Sequence, residues 1–176
     1  MKYSGEPIPE IFEKLQKNRK VKCINACISN KEGTSQFFHI TSEKCYLGML
    51  SGLLDKYDPR HMHRAKKEIK QEGEKYEIIN VSCYSLNNIL EENNIYHIDY
   101  LSIDTEGGEL DILKSIDFEK YDIDVISVEN NFHDHEFQIF LKKKGYILVA
   151  NLGCDEIYKK NNLQNKKGSF FRKKSF

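Results

Sequence analysis

No stretch of this sequence stays apolar for more than a few residues, far below the roughly 20 needed to cross a bilayer. The opening segment Met1–Gly5 carries one lysine and no apolar run, so neither a membrane span nor an export signal is read from it and a soluble, cytoplasmic protein is expected. Net charge is missing as well: 27 basic residues balance 27 acidic ones. No global field therefore recruits nucleic acid or an anionic membrane, and a partner has to be recognised locally. The five cysteines (Cys23, Cys27, Cys45, Cys83, Cys154) are odd in number and contain no Cys-x-x-Cys pair. That excludes a complete disulfide framework and predicts reduced, mostly buried thiols. No repeat period is present, which argues against a solenoid.

What is there suits one domain. With 176 residues and 39% hydrophobic content, the chain can bury most of its unfolded surface around a single core. Ile8, Ile11, Phe12 and Leu15 recur at helical spacing over 8–18, with Pro7 and Pro9 near a first turn where a missing amide hydrogen matters least. Val21–Ile28 and Thr34–Ile40 read as strands joined by the turn Asn30-Lys31-Glu32-Gly33, a pair suited to a sheet edge. Residues 47–75 read as a charged, helical insertion carrying Leu47, Leu50, Leu53 and Leu54. From Glu77 onward, strands and helices alternate: Glu77–Val81, Leu86–Leu90, Ile98–Ile103, Leu110–Ile116, Val125–Val128, Phe137–Leu141 and Tyr146–Ala150. This rhythm predicts an α/β fold with a mostly parallel sheet. Ile98–Ile103 and Ile123–Val128 are apolar enough to be its central strands, and Asp155–Tyr158 is expected as a last, antiparallel strand. The domain then spans 1–160, and 161–176 is read as a basic, solvated tail in which Lys166, Lys167 and Arg172 alternate with Phe170, Phe171 and Phe176.

Ligands of an open parallel sheet bind beyond the carboxyl ends of its strands, where helix N-termini and loops converge. Two polar clusters fall there. Asp104-Thr105-Glu106-Gly107-Gly108-Glu109 follows Ile98–Ile103, with glycines that allow a tight strand-to-helix turn; Glu129-Asn130-Asn131 follows Val125–Val128. Asp104 has few structural reasons to be acidic beyond a turn-forming role. Glu106 and Glu109 also suit the N-terminus of the next helix. His133-Asp134-His135, and His61 with His63, are read as solvated or helix-starting residues rather than metal ligands, and no metal site is expected.

The run Ile98-Asp99-Tyr100-Leu101-Ser102-Ile103-Asp104-Thr105-Glu106-Gly107-Gly108-Glu109-Leu110 resembles the strand and turn shared by FkbM-type methyltransferases. Val81–Leu90, Val125–Asn130 and Gly153–Tyr158 resemble further segments of that family, and Glu6-Pro7-Ile8-Pro9 is similar to its Glu-Pro element. The resemblance covers most of residues 5–160. It implies a Rossmann-like class I methyltransferase sheet with an antiparallel last strand, S-adenosylmethionine as cofactor, and methyl transfer to a hydroxyl of a sugar or small natural product. It also implies that Glu6 accepts hydrogen bonds from the cofactor's ribose hydroxyls, as a carboxylate can from two neighbouring hydroxyls at once, that Asp104 lies at the cofactor, and that Asp104, Glu106 and Glu129 are candidates to remove the acceptor's proton. Only five residues precede Glu6, whereas a dinucleotide-type fold places its glycine-rich loop roughly 20 residues before that acid. The first strand and that loop are therefore expected to be missing from this stretch of chain. Two rivals stay open: a non-catalytic binding module of the same fold, and a metal-dependent glycosyltransferase in which Asp104-Thr105-Glu106 imitates an Asp-x-Asp site.

Overall fold

A computed structural model describes residues 2–42 and 44–161; the expectation for the basic tail lies outside them. In chain order the first elements are β1 (Tyr3–Gly5), α1 (Pro9–Asn18), β2 (Lys22–Ile24), β3 (Cys27–Ile28), β4 (Gly33–Thr41), α2 (Cys45–Gly48), β5 (Gly52–Leu53) and α3 (Pro59–Glu72). Then come β6 (Lys75–Tyr84), α4 (Leu86–Glu92), β7 (His97–Ile103), α5 (Glu109–Ser115), β8 (Asp122–Glu129), α6 (His135–Lys143), β9 (Tyr146–Leu152) and β10 (Asp155–Lys160). They divide into two compact units, Met1–Asn94 with Thr105–Ile116, and Ile95–Asp104 with the chain from Asp117.

In the first unit, the expected strand Val21–Ile28 is two strands in different sheets. β2 pairs parallel with β1, and β3 pairs parallel with β6. The break has a local cause: the Asn25 amide donates to the carbonyls of Glu6 and Pro7 at 2.8 and 3.1 Å, drawing the chain out of the β1–β2 ladder. The expected edge pair is likewise replaced, because β6 lies between β3 and β4 in the order β3-β6-β4-β5. Consecutive side chains of a strand point to opposite faces, and β4 uses both. Phe37 joins Ile8, Cys27, Leu53, Val81 and Cys83 on one side. Phe38 and Ile40 join Leu47, Leu50, Tyr57, Ala65 and Ile69 on the other. The charged segment 47–75 is thus part of the core as well as a helix. Leu47, Leu50 and Leu53 are buried around a short turn of helix and β5, Leu54 is partly buried beside them, and α3 buries His61, Ala65 and Ile69, four residues apart. Asp58 caps α3 by accepting from the Arg60 amide at 2.7 Å, and Gly73 ends it at φ +70°, the pairing of acidic start and left-handed glycine stop that helix ends favour.

The second unit is a four-stranded sheet in the order β7-β8-β10-β9. β7 and β8 are parallel, with Ile103 opposite Val128; β10 is antiparallel to both β8 and β9. The expected antiparallel strand exists, inserted between β8 and β9. A mostly parallel sheet does not form: parallel and antiparallel pairings mix across three sheets. β8 is internal, as its apolar run required. β7, expected as a central strand, is instead an edge strand among the described residues, and its Asp99, Tyr100 and Ser102 are exposed, which a strand covered on both faces would not allow. One face of this sheet, with Ile103, Ile126, Val128, Tyr146 and Tyr158, is buried, and α6 packs on it through Phe137 and Leu141. The Tyr146 hydroxyl donates to the Ile123 carbonyl at 2.7 Å, so the buried phenol is satisfied. Among the four cysteines whose side chains are described, all are free thiols, and Cys27 and Cys83 are the buried ones.

Because side chains alternate across a strand, position decides cost. Replacing fully buried Ile126 with alanine is expected to remove about 2–5 kcal/mol of stability, while Ile147→Ala on the exposed face changes it by less than about 0.5 kcal/mol. Urea unfolding of the two variants checks the register; similar losses at both positions would contradict it.

Candidate functional site

The turn that follows β7 is held by one side chain. Glu109 opens α5 and is buried; its carboxylate accepts from the Thr105 amide at 2.8 Å, the Thr105 hydroxyl at 3.0 Å and the Gly107 amide at 2.9 Å. A carboxylate can take several donors at once, so a single group closes the turn on itself. Two backbone conformations follow. Glu106 sits at φ +57° and Gly107 at φ +126°. Gly107 also lies where a β-carbon would stand 2.5 Å from the Lys56 carbonyl oxygen, so glycine is required twice over.

Glu106 points into the first unit. Its carboxylate lies 3.3 Å from His61 Nδ1, with 13% of the Glu106 side chain exposed, and Tyr57, whose hydroxyl donates to the Leu50 carbonyl, is buried beside His61. The reading of His61 as solvated is overturned: the residue is 7% exposed. Its spacing from Ala65 and Ile69 carried the signal, since i, i+4 and i+8 share one helix face. Burial holds the His61 imidazole below its ordinary value of 6.5, helped by Arg64 and Arg60 and opposed by Asp58 and Glu109. His63 is exposed, as expected.

Glu6 follows β1, and one of its carboxylate oxygens accepts from the Ile8 amide at 2.9 Å, at the start of α1. Burial pushes its carboxyl above the ordinary value, while the Ile8 amide and His39 pull it down. Both the helix-opening role and an acceptor role fit this geometry, because the amide occupies one of two oxygens. A cleft of about 320 Å³ opens beside this Glu-Pro element, lined among others by Pro7, Asn25, His39, Glu77 and Asn80. His39 Nδ1 is 3.3 Å from Glu77.

In the second unit, Asp104 and Glu129 stand at the same end of two adjacent parallel strands, Asp104 directly beyond and Glu129 just after the Ile103–Val128 pair. A carboxylate oxygen of each lies within 4.8 Å of one of the other. Asp104 is exposed and Glu129 half-buried. Asn130, 2% exposed, supports this end: its amide group donates to the Asp134 carbonyl at 3.1 Å and to Glu156 at 2.9 Å, while its oxygen accepts from the Asp134 amide at 2.8 Å. His133 and His135 are exposed. At the opposite strand ends, exposed His97 pairs with Asp122 at 3.1 Å, and Lys160 pairs with the same carboxylate; the two hold the Asp122 carboxyl below its ordinary value. Asp104 and Glu129 are therefore brought together, and Glu6 and Glu106 belong to the first unit, each in its own surroundings.

A family model described as the methyltransferase FkbM domain matches residues 3–148. No curated protein and no solved structure gives a match.

Gly107→Ala is expected to cost about 1–3 kcal/mol, from the left-handed strain and the Lys56 contact, by urea unfolding. A pH dependence also follows from His61. Its value is depressed in the folded state, so the unfolded chain takes up the proton first, and stability falls as pH drops below about 6.5. His61→Gln should flatten that slope between pH 8 and pH 5; an unchanged slope would remove His61 from the account.

Proposed function

The chain belongs to the FkbM methyltransferase family, and on that premise we propose that it transfers a methyl group from S-adenosylmethionine to a hydroxyl of a sugar or small natural product. The observation that carries this reading is the extent of the family match, whose span includes Glu6, Asp104, Glu106 and Glu129. It favours methyl transfer over the nucleotide-sugar alternative.

The chain's residues divide the work. Glu6 is the residue to receive the ribose hydroxyls: it ends a short parallel strand, and its helix-opening bond uses one oxygen only. Asp104, exposed at the end of β7, is the second cofactor contact. When bound, S-adenosylmethionine supplies an electrophilic methyl group on a sulfonium centre. What the protein adds is alignment of the acceptor oxygen and removal of its proton. Carboxylates suit the second task, and two sources supply them: the Asp104–Glu129 pair at the strand ends, and Glu106 on the turn. Paired carboxylates also accept hydrogen bonds from neighbouring hydroxyls, which suits a polyhydroxylated acceptor.

Calorimetric titration of the folded chain with S-adenosylmethionine and with its demethylated product tests the reading. Saturable binding is expected, weakened about 10- to 100-fold in Glu6→Ala and in Asp104→Ala, the loss typical of a charge-assisted hydrogen bond. Absence of binding by protein that unfolds cooperatively would overturn it.

A further inference from the structure

Glu106 is the one acidic residue of the Asp104–Glu109 run whose backbone is left-handed, at φ +57°. Such a conformation costs a non-glycine residue roughly 1–2 kcal/mol and persists where the surroundings over-determine it, commonly at functional sites. Here the surroundings do so from both sides. Glu109 gathers the Thr105 and Gly107 amides, Gly107 is packed on the Lys56 carbonyl, and Lys56 pairs with Asp111 of α5. The side chain so aimed meets His61, carried on the first turn of α3 and buried with it. A histidine on the apolar stripe of a helix can serve packing alone. This one faces a largely buried carboxylate across 3.3 Å, an arrangement packing does not ask for, since burying two ionisable groups is costly.

Resting on the methyl-transfer reading, we infer that His61 is the positioning residue for the Glu106 carboxyl, and that the two groups take up the acceptor's hydroxyl proton as one unit. In the resting couple, a neutral imidazole with its proton on Nδ1 faces a carboxylate, for a total charge of minus one. The acceptor's O–H bond breaks, its electron pair stays on oxygen for the new C–O bond, and the proton enters the couple, which becomes neutral overall. The tautomer is set by the carboxylate, as second-partner contacts set it in histidine sites generally. The charged groups around His61 are Asp58, Arg60 and Arg64 from α3 and its cap, and Glu106 and Glu109 from the turn; the phenol of Tyr57 lies beside it. Burial favours the neutral imidazole among them.

The test is a pH titration of the six histidines in the folded chain, followed by nuclear magnetic resonance, with His39 beside Glu77 as the internal reference. His61 is expected to titrate below the ordinary histidine value and to hold its proton on Nδ1. In Glu106→Gln its midpoint should move down by about one unit and the tautomer preference should disappear, with His39 unmoved. Should Glu106→Gln fail to fold, Glu106→Asp, which withdraws the carboxyl by one methylene, is expected to give the same changes in smaller measure. An unaltered His61 titration in a folded variant overturns the couple. In a transfer assay, His61→Gln should lower kcat at least tenfold with KM unchanged and should displace the acid limb of the pH profile. A wild-type chain inactive toward every hydroxyl acceptor would sink the methyl-transfer reading, leaving the resonance result to decide the couple on its own.

Discussion

The carboxylate of Glu109 is the constraint on which the candidate chemistry depends. By collecting the Thr105 and Gly107 amides and the Thr105 hydroxyl, it converts the end of an extended strand into the start of a helix within five residues. It also forces Glu106 into the left-handed region. Without that tie the turn would lose three hydrogen bonds to a charged acceptor, each stronger than a neutral one, and Glu106 would relax toward an ordinary backbone. An acid that the sequence places at the helix N-terminus is thus the one that closes the turn.

A comparable division of labour exists in the second unit. Asn130 spends its whole amide side chain on Asp134 and Glu156, and so fixes the chain as it leaves β8. Glu129, one residue earlier, is left beside Asp104. In both places a buried polar side chain that gathers several hydrogen bonds stands close in the chain to a second carboxylate. The pattern is economical because burying a polar group is tolerated only when its hydrogen bonds are met. The supporting residue meets that condition through the bonds it makes.

The strand and helix succession from Glu77 to Tyr158 was legible because each segment is short and bounded by a clear stop: Ser85 capping α4, the paired glycines before α5, Gly145 before β9. The left half of the chain was harder. Nothing in Val21–Ile28 announces that the chain changes sheets at Asn25, since the cause is a side-chain amide reaching the carbonyls of Glu6 and Pro7, some 18 positions away. The segment 47–75 looked like a surface insertion because its charges dominate its composition; the leucines and the His61–Ala65–Ile69 stripe that bury it are sparse but correctly spaced. Strand direction was the least legible property. Apolar alternation is the same for parallel and antiparallel pairing, so β10 could be expected as antiparallel without its place between β8 and β9 being visible. Among the candidate residues, Asp104, Glu106 and Glu129 are picked out in the sequence by their positions after apolar strands, whereas the burial of His61 is signalled only by its spacing from Ala65 and Ile69.

The central claim is that Glu106 is held in its strained, largely buried position for chemistry and against stability. Equilibrium unfolding of Glu106→Gly measures this directly, because glycine adopts φ +57° without strain and removes a buried carboxyl. The account predicts stability unchanged or raised by up to about 1 kcal/mol. A loss of about 2 kcal/mol or more would show that Glu106 supports the fold, and would contradict the claim.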